Sequence, residues 1–212
     1  MSTELFAAIR SGDLNQVTSL LEANPSLVAA RDDKGVSSVL TAAYHGKSDI
    51  ARLFIERGAT LDIFEAAAVG DLARVRELAA DANATSPDGF QPLGLACFFG
   101  QTAVAEFLIL EADADVHVAS KNQMRVQPIH AAAARRASSL VGMLLEKGAD
   151  PNARQHLGYT ALHAAAQHGD DATAELLLKA GADPTLASDD GKTPADYAET
   201  AGYDSLAARL RS

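Results

Sequence analysis

Apolar and polar positions along the chain alternate in blocks that match short amphipathic helices. An Ala-rich stretch, "HAAAQ", leads to Gly169, and Ala174, Leu177 and Leu178 then recur at the i, i+3, i+4 spacing of one helix face. Gly169 and Gly181 are twelve residues apart, and glycine ends helices readily in the left-handed conformation. The pattern predicts a short helix, a tight turn and a second short helix.

The same pattern occurs along most of the chain. Glycines follow Ala-rich or apolar stretches with spacings of 34, 24, 30, 36, 33 and 33 residues, when Arg136 is counted in the slot that otherwise holds glycine. One such unit cannot bury its apolar face alone. We therefore expect the units to stack into a solenoid with one continuous core. The helix-ending positions are Gly12, Gly46, Gly70, Gly100, Arg136, Gly169 and Gly202.

The connections between units differ in length. "ADPTLASDDG" contains the Pro, Asp and Gly of a projecting β-turn, called a finger below. The spacing of 24 before Gly70 leaves no room for a finger, and Asp62 with Glu65 has the spacing of a capping box that starts a helix directly. The spacing of 36 predicts an enlarged connection around "VHVASKNQMRV". Arg136 in a glycine slot predicts either a strained left-handed backbone or a changed turn.

The best units, "GYTALHAAAQHGDDATAELLLKAGADPT" and "VQPIHAAAARRASSLVGMLLEKGADPNA", resemble ankyrin repeats, which carry T-P-L-H-x-A with a period of about 33 residues. The resemblance covers nearly the whole chain. It implies an all-α ankyrin-repeat solenoid of about seven helix-turn-helix units with short β-hairpin-like fingers, in a curved right-handed stack. We expect a single domain, 1–212, divided into an N-terminal capping repeat (1–34), repeat 2 (35–60), a short repeat without a preceding finger (61–86), repeats 4 (87–120), 5 (121–155) and 6 (156–187), and a C-terminal capping repeat (188–212).

Composition narrows the possible partners. The net charge of −10 argues against nucleic acid and anionic membranes, because phosphate binding needs an excess of Lys and Arg. Residues 121–155 are an exception, with a charge of +4 against −14 for the remainder. A single cysteine and the lack of a secretory signal or an 18-residue apolar run favour the cytoplasm. Abundant Ala, Asp and Arg with few Lys favour a GC-rich bacterial genome and a stand-alone member of the family.

The histidines of the repeats and the single cysteine could carry chemistry but have simpler structural explanations. His130 and His163 fall in the His slot of the repeat pattern, where we expect them to bond to the cap residue or the neighbouring finger. His168 follows His163 by five residues, about 140° around the helix, so the two cannot share a metal ion. Cys97 replaces Ala in a helix, which favours a buried core residue. We expect no catalysis, no cofactor and no metal; an enzymatic or metal-binding protein is the remote alternative.

Binding residues are expected where side chains are free from core packing. The ankyrin resemblance implies that the two residues before each helix-ending glycine face a concave groove, together with the finger residue ten positions before that glycine. Five of the eleven Phe and Tyr residues fall in these slots, and exposed aromatic residues often dominate interfaces. The predicted binding residues are Val36, Tyr44, His45, Phe90, Phe98, Phe99, Arg125, Val126, Arg135, Tyr159, Gln167 and His168.

Two alternatives stay open at this point. Phe98 or Phe99 could instead fill the gap left by the missing finger, and the arginines could form a solvated charged run. The predicted function is a non-catalytic protein–protein interaction scaffold, monomeric alone, that binds an unidentified protein partner through its groove and finger tips. The alternative function is a regulatory subunit that occludes the active site of a partner enzyme.

Overall fold

A computed structural model describes residues 2–211 of the chain. Fourteen α-helices and three short 3-10 turns occur within this range, and no β-strand occurs there. The predicted all-α class is therefore confirmed. The helices are α1 (Ser2–Ser11), α2 (Leu14–Ala23), α3 (Ser38–Tyr44), α4 (Ser48–Glu56), α5 (Ile63–Val69), α6 (Leu72–Glu77), α7 (Pro92–Phe99), α8 (Thr102–Leu110), α9 (Pro128–Ala134), α10 (Ser138–Glu146), α11 (Ala161–Gln167), α12 (Asp171–Lys179), α13 (Pro194–Thr200) and α14 (Asp204–Leu210).

Consecutive helices pair into helix-turn-helix units, seven of them in residues 2–211, which we number 1 to 7 along the chain. The first helices of the units carry the odd numbers, α1 to α13, and form one row. Each of them packs against the first helix of the next unit. Second helices form the other row, where α2 packs on α4, and α6, α8, α10 and α12 pack in succession. By contrast α4 and α6 are barely in contact, so this row is interrupted at unit 3.

Alanine packs the first-helix row tightly. Ala67, Ala132 and Ala165 are completely buried between helices of adjacent units, and such small side chains let three helices approach without leaving voids. Leu140 and Leu177 of the second row are also completely buried and supply the larger apolar volume. The buried residues form one continuous cluster from unit 1 to unit 7. Among residues 2–211, no helix is both long and apolar enough to span a membrane.

Helix caps account for the unit boundaries. Asp62 accepts hydrogen bonds from the backbone N–H groups of Phe64 and Glu65 at 3.0 Å, and the Asp62 N–H donates to Glu65 Oε2 at 2.7 Å. This capping box starts α5 without a finger, as the sequence predicts. Arg136 has a φ of 58°, so of the two alternatives at this non-glycine position the structure shows the left-handed backbone.

Where fingers are present, neighbouring fingers are joined by backbone hydrogen bonds. We name them by unit: finger 2 (31–37), finger 4 (85–91), finger 5 (120–127), finger 6 (153–159) and finger 7 (187–193). The Lys121 N–H donates to the Gly89 carbonyl at 2.7 Å, the His156 N–H to the Met124 carbonyl at 2.9 Å, and the Asp189 N–H to the Leu157 carbonyl at 2.9 Å. Fingers 4 to 7 therefore form one continuous row.

Candidate functional site

The histidines of the repeat pattern belong to the scaffold. His163 is completely buried. Its Nδ1 lies 3.1 Å from the Thr160 backbone N, which donates to it, and 2.8 Å from the Thr160 hydroxyl. This arrangement leaves Nε2 to donate to the Lys192 carbonyl of finger 7 at 3.2 Å. Burial lowers the pKa of His163 below its ordinary value. A neutral imidazole thus links unit 6 to unit 7, as the sequence predicts.

His130 repeats this arrangement between units 5 and 6. The Gln127 backbone N–H donates to His130 Nδ1 at 3.1 Å, and Nε2 lies 2.8 Å from the Ala153 carbonyl of finger 6. Burial again lowers the imidazole pKa. Both nitrogens of each ring are therefore engaged by the protein, and the expectation that these histidines are structural is confirmed.

Two aromatic side chains surround His163. The ring of Tyr159 lies 4.8 Å from the imidazole and 5.0 Å from the ring of Tyr197, which is 5.5 Å from the imidazole. The Tyr159 hydroxyl donates to Gln167 Oε1 at 2.8 Å. We call Tyr159, His163 and Tyr197 the regular cluster, because it joins two adjacent units that both have fingers. It brings two of the predicted binding residues, Tyr159 and Gln167, together.

A second aromatic cluster crosses the unit that lacks a finger. Tyr44 comes from unit 2, whereas Phe90, Phe98 and Phe99 come from unit 4. The ring of Tyr44 lies 5.4 Å from that of Phe99 and 6.2 Å from that of Phe98, and the rings of Phe98 and Phe99 meet edge to face at 5.1 Å. Phe90 lies 6.4 Å from Tyr44. We call these four residues the bridging cluster; they meet because unit 3 places no finger between them.

A hydrogen bond fixes Tyr44 in this position. Its hydroxyl donates to Asp88 Oδ2 of finger 4 at 2.5 Å, and the Ser86 hydroxyl donates to Asp88 Oδ1 at 2.5 Å. Burial, together with the bond to the Asp88 carboxylate, raises the pKa of Tyr44 above its ordinary value. Finger 4 also approaches finger 2, since a Cβ added to Gly35 would lie 3.4 Å from Pro87. The Tyr44–Asp88 bond therefore couples units 2 and 4 directly.

A groove of about 610 Å³ opens beside the bridging cluster, where α4 and α6 separate. Phe98 is 38% exposed there. The guanidinium of Arg135 lies 5.7 Å from the Phe98 ring centre, and its Nε donates to the Phe98 carbonyl at 2.5 Å. The groove is lined by Ala43, Tyr44, Gly46, Ser48, Ala51, Arg52, Ile55, Ala68, Val69, Gly70, Asp71, Phe98, Phe99, Gln101 and Arg135.

The groove brings together only part of the predicted binding set. Tyr44, Phe98, Phe99 and Arg135 line it. Phe90 belongs to the bridging cluster but does not line the groove. The remaining predicted residues lie elsewhere: His45 is exposed in the turn after α3, Arg125 is exposed and Val126 half-buried in finger 5, and Tyr159, Gln167 and His168 lie in unit 6.

The prediction that Val36 is a surface contact is wrong. Its side chain is only 8% exposed and belongs to the core cluster. The Val36 N–H donates to Asp32 Oδ1, and its carbonyl accepts from the Asp32 N–H, so Val36 lies at the base of finger 2 and not at its tip. An apolar side chain at the base gains free energy by packing on the core.

Two groove residues, Arg52 and Ile55, were missed by the sequence analysis. Both lie on α4, a second-row helix, whereas the residues considered were those before helix-ending glycines. α4 and α6 are barely in contact, and the groove is lined by α4 and by Asp71, which caps α6. The spacing of 24 residues before Gly70 is the sequence signal that could have identified the gap.

Comparison with known families agrees with this architecture. The sequence model for ankyrin repeats (three copies) matches residues 63–155 and, again, residues 129–211. The two matches together span residues 63–211, which is more than two thirds of the chain. No curated protein matches the chain significantly. The chain therefore belongs to the ankyrin-repeat family, whose repeats generally mediate protein–protein interactions and are typically not catalytic.

Proposed function

We propose that the chain is a non-catalytic interaction scaffold that binds its partner protein through the groove beside the bridging cluster, with Phe98 as the central contact. The observation that carries this proposal is the exposure of Phe98, 38%, within a groove of about 610 Å³ and under the guanidinium of Arg135. Aromatic and arginine side chains in such pockets contribute much of the binding free energy in protein interfaces.

The groove is held in shape before any partner binds. Phe98 is fixed against Phe99, and Tyr44 is fixed by its bond to Asp88. Arg135 is held over Phe98 by its bond to the Phe98 carbonyl. Because these side chains lose little conformational freedom on binding, more of the contact free energy remains available for affinity.

The histidines of the repeat pattern and the single cysteine are committed to the scaffold, which supports a binding role. His130 and His163 use both ring nitrogens in scaffold bonds, Nδ1 within their own unit and Nε2 to the finger of the next unit. Cys97 is completely buried, and burial raises the pKa of its thiol to about 12. A protonated, inaccessible thiol is not a nucleophile.

The test begins with affinity capture of the partner from the host and continues with calorimetric titration of the purified partner. We expect Phe98→Ala to weaken binding by about 30-fold, which is about 2 kcal/mol, a typical value for a central interface residue. The matched control is Leu110→Ala, since Leu110 is 57% exposed on α8 and does not line the groove. It should bind within about twofold of the natural chain.

Equal affinities for the natural chain and Phe98→Ala would refute the groove proposal. If the captured partner is an enzyme, the same titration followed by an activity assay separates the two forms of the proposal. A scaffold leaves the partner's activity unchanged at saturation, whereas a regulatory subunit that occludes the active site lowers it.

A further inference from the structure

The tips of fingers 5 and 6 present apolar side chains to solvent. Met124 is 51% exposed and Leu157 is 59% exposed. The two are close, because the N–H of His156 donates to the Met124 carbonyl at 2.9 Å. Two large apolar residues therefore stand on neighbouring tips, and neither is needed to fill the core.

Leu157 also has an unfavourable backbone conformation. Its φ is 61° and its ψ 23°, a left-handed geometry in which a bulky residue is an outlier. Fingers 2, 4, 6 and 7 place a left-handed glycine at the same position, at Gly35, Gly89, Gly158 and Gly191, so Leu157 is an additional left-handed residue directly before the glycine of finger 6. Glycine would satisfy this geometry without strain. A strained leucine whose side chain lies mostly in water is not explained by folding, and such outliers cluster at functional sites.

The charge of these two fingers is opposite to that of their neighbours. Lys121 and Arg125 give finger 5 a formal charge of +2, and Arg154 gives finger 6 a charge of +1. Fingers 4 and 7 each carry −1, and the whole chain carries −10. Within residues 2–211, neither Lys121 nor Arg125 forms an ion pair, so both can pair with a ligand.

We infer that the tips of fingers 5 and 6 bind an acidic polypeptide segment in which an apolar side chain stands between carboxylates. Met124 and Leu157 contact the apolar side chain, while Lys121 and Arg125 pair with the carboxylates. An anionic membrane fits less well, because the net charge of −10 opposes approach to a negative surface. A second copy of the chain would present the same cations at this site. This surface goes beyond the proposed groove, since none of its residues lines the groove.

Fluorescence anisotropy with a synthetic probe tests the inference. The probe is a labelled peptide with one leucine between two runs of three glutamates, and its matched controls replace the leucine with alanine or the glutamates with lysines. We expect the natural chain to prefer the first probe at least tenfold over either control, and its affinity to fall as salt screens the charges.

Two variants locate the binding surface. Leu157→Gly with Met124→Ser should weaken binding of the first probe at least tenfold, while Leu157→Gly alone should raise the melting temperature by about 2–4 °C because strain is removed. Lys121→Glu with Arg125→Glu should abolish binding without lowering the melting temperature by more than about 2 °C. Phe98→Ala should bind the probe normally, so the result is independent of the groove proposal.

Equal binding of the glutamate and lysine probes would overturn the inference, as would unchanged binding by the Leu157→Gly, Met124→Ser variant. Stronger association with phosphatidylserine vesicles than with the peptide would show that the surface binds membranes instead. Sedimentation that shows dimers in the natural chain and monomers in this double variant would assign the surface to a second copy.

Discussion

The regular cluster and the bridging cluster use the same slots of the repeat for different purposes. In units 6 and 7, the fingers supply a carbonyl for His163, and Tyr159 packs between adjacent units. At unit 3, no finger is present, and Tyr44 crosses to unit 4 and leaves Phe98 partly exposed. The length of one connection therefore decides whether aromatic side chains complete the scaffold or form an open groove.

The residue that completes the helix-capping box also differs in charge between these two regions. His163 of unit 6 corresponds to Glu65 of unit 3, which is buried at 4% exposure. A carboxylate cannot donate to the carbonyl of the following finger, and the Glu65 side chain faces a cation instead. Arg31 of finger 2 lies 3.6 Å from Glu65 and 3.2 Å from Asp62. An ion pair thus takes the place of the neutral histidine link used by the regular units.

The largest expected difference concerns folding stability. His163→Ala should lower the free energy of unfolding by about 3 kcal/mol, because it opens a cavity, leaves the Thr160 hydroxyl without its partner and removes the bond to the Lys192 carbonyl. Phe98→Ala should cost about 1 kcal/mol, because Phe98 is partly in water already. Urea denaturation measures both values. Equal losses of unfolding free energy in the two variants would contradict the view that His163 belongs to the scaffold and Phe98 to the surface.

Removing single hydroxyl groups sharpens the comparison. Tyr44→Phe should destabilise the chain by about 1.5 kcal/mol, because it takes a hydrogen bond from the half-buried carboxylate of Asp88. Tyr159→Phe should cost about 0.5 kcal/mol, since that hydroxyl bonds to the neutral and exposed Gln167. The two variants keep ring packing unchanged. A larger loss for Tyr159→Phe would contradict the view that the Tyr44–Asp88 bond is the stronger link, the one that couples units 2 and 4.

Two opposite substitutions in the turns that flank the groove should change stability by smaller amounts and in opposite directions. Arg136→Gly should raise stability by about 1 kcal/mol, because its φ of 58° is unfavourable for a residue with a Cβ. Gly100→Ala, at the equivalent slot of unit 4, should lower stability by a similar amount, since its φ is 73° and no atom lies within 4 Å of an added Cβ. Thermal unfolding of the pair checks both signs. A decrease for Arg136→Gly would show that the arginine side chain stabilises the turn.

Lowering the pH should reduce the folding stability that the regular cluster contributes. Because burial lowers the pKa of His163 below its ordinary value of 6.5, the unfolded chain binds a proton at a pH where the folded chain does not. The stability from the neutral imidazole is complete above pH 6.5 and is lost as the pH falls toward the folded-state pKa. His163→Gln should therefore lose less stability between pH 7 and pH 5 than the natural chain.

Local features were predictable from the sequence, whereas contacts across the gap were not. The glycine spacing, the Asp62–Glu65 capping box and the histidine slots depend on residues a few positions apart, and the structure confirms them. The Tyr44–Asp88 bond joins residues 44 positions apart across an intervening unit. Its formation depends on how units 2 and 4 approach each other, which periodicity does not specify.

The residues of the candidate site were likewise predictable where they depend on local sequence position, and not where they depend on contacts between units. Counting positions back from each helix-ending glycine identified Tyr44, Phe98, Phe99 and Arg135, because this count selects residues near the turns of the first-helix row. It missed Arg52 and Ile55, whose access depends on the separation of α4 from α6. It placed Val36 on the surface, although the base of a finger packs on the core.

Oxidative footprinting of the two clusters tests the central claim most directly. Hydroxyl radicals modify exposed Phe and Tyr side chains, so the chain is compared alone and saturated with its purified partner. The account predicts that the partner protects Phe98 from oxidation and leaves Tyr159 and Tyr197 of the regular cluster unchanged. Protection of Tyr159 and Tyr197 with no change at Phe98 would contradict it.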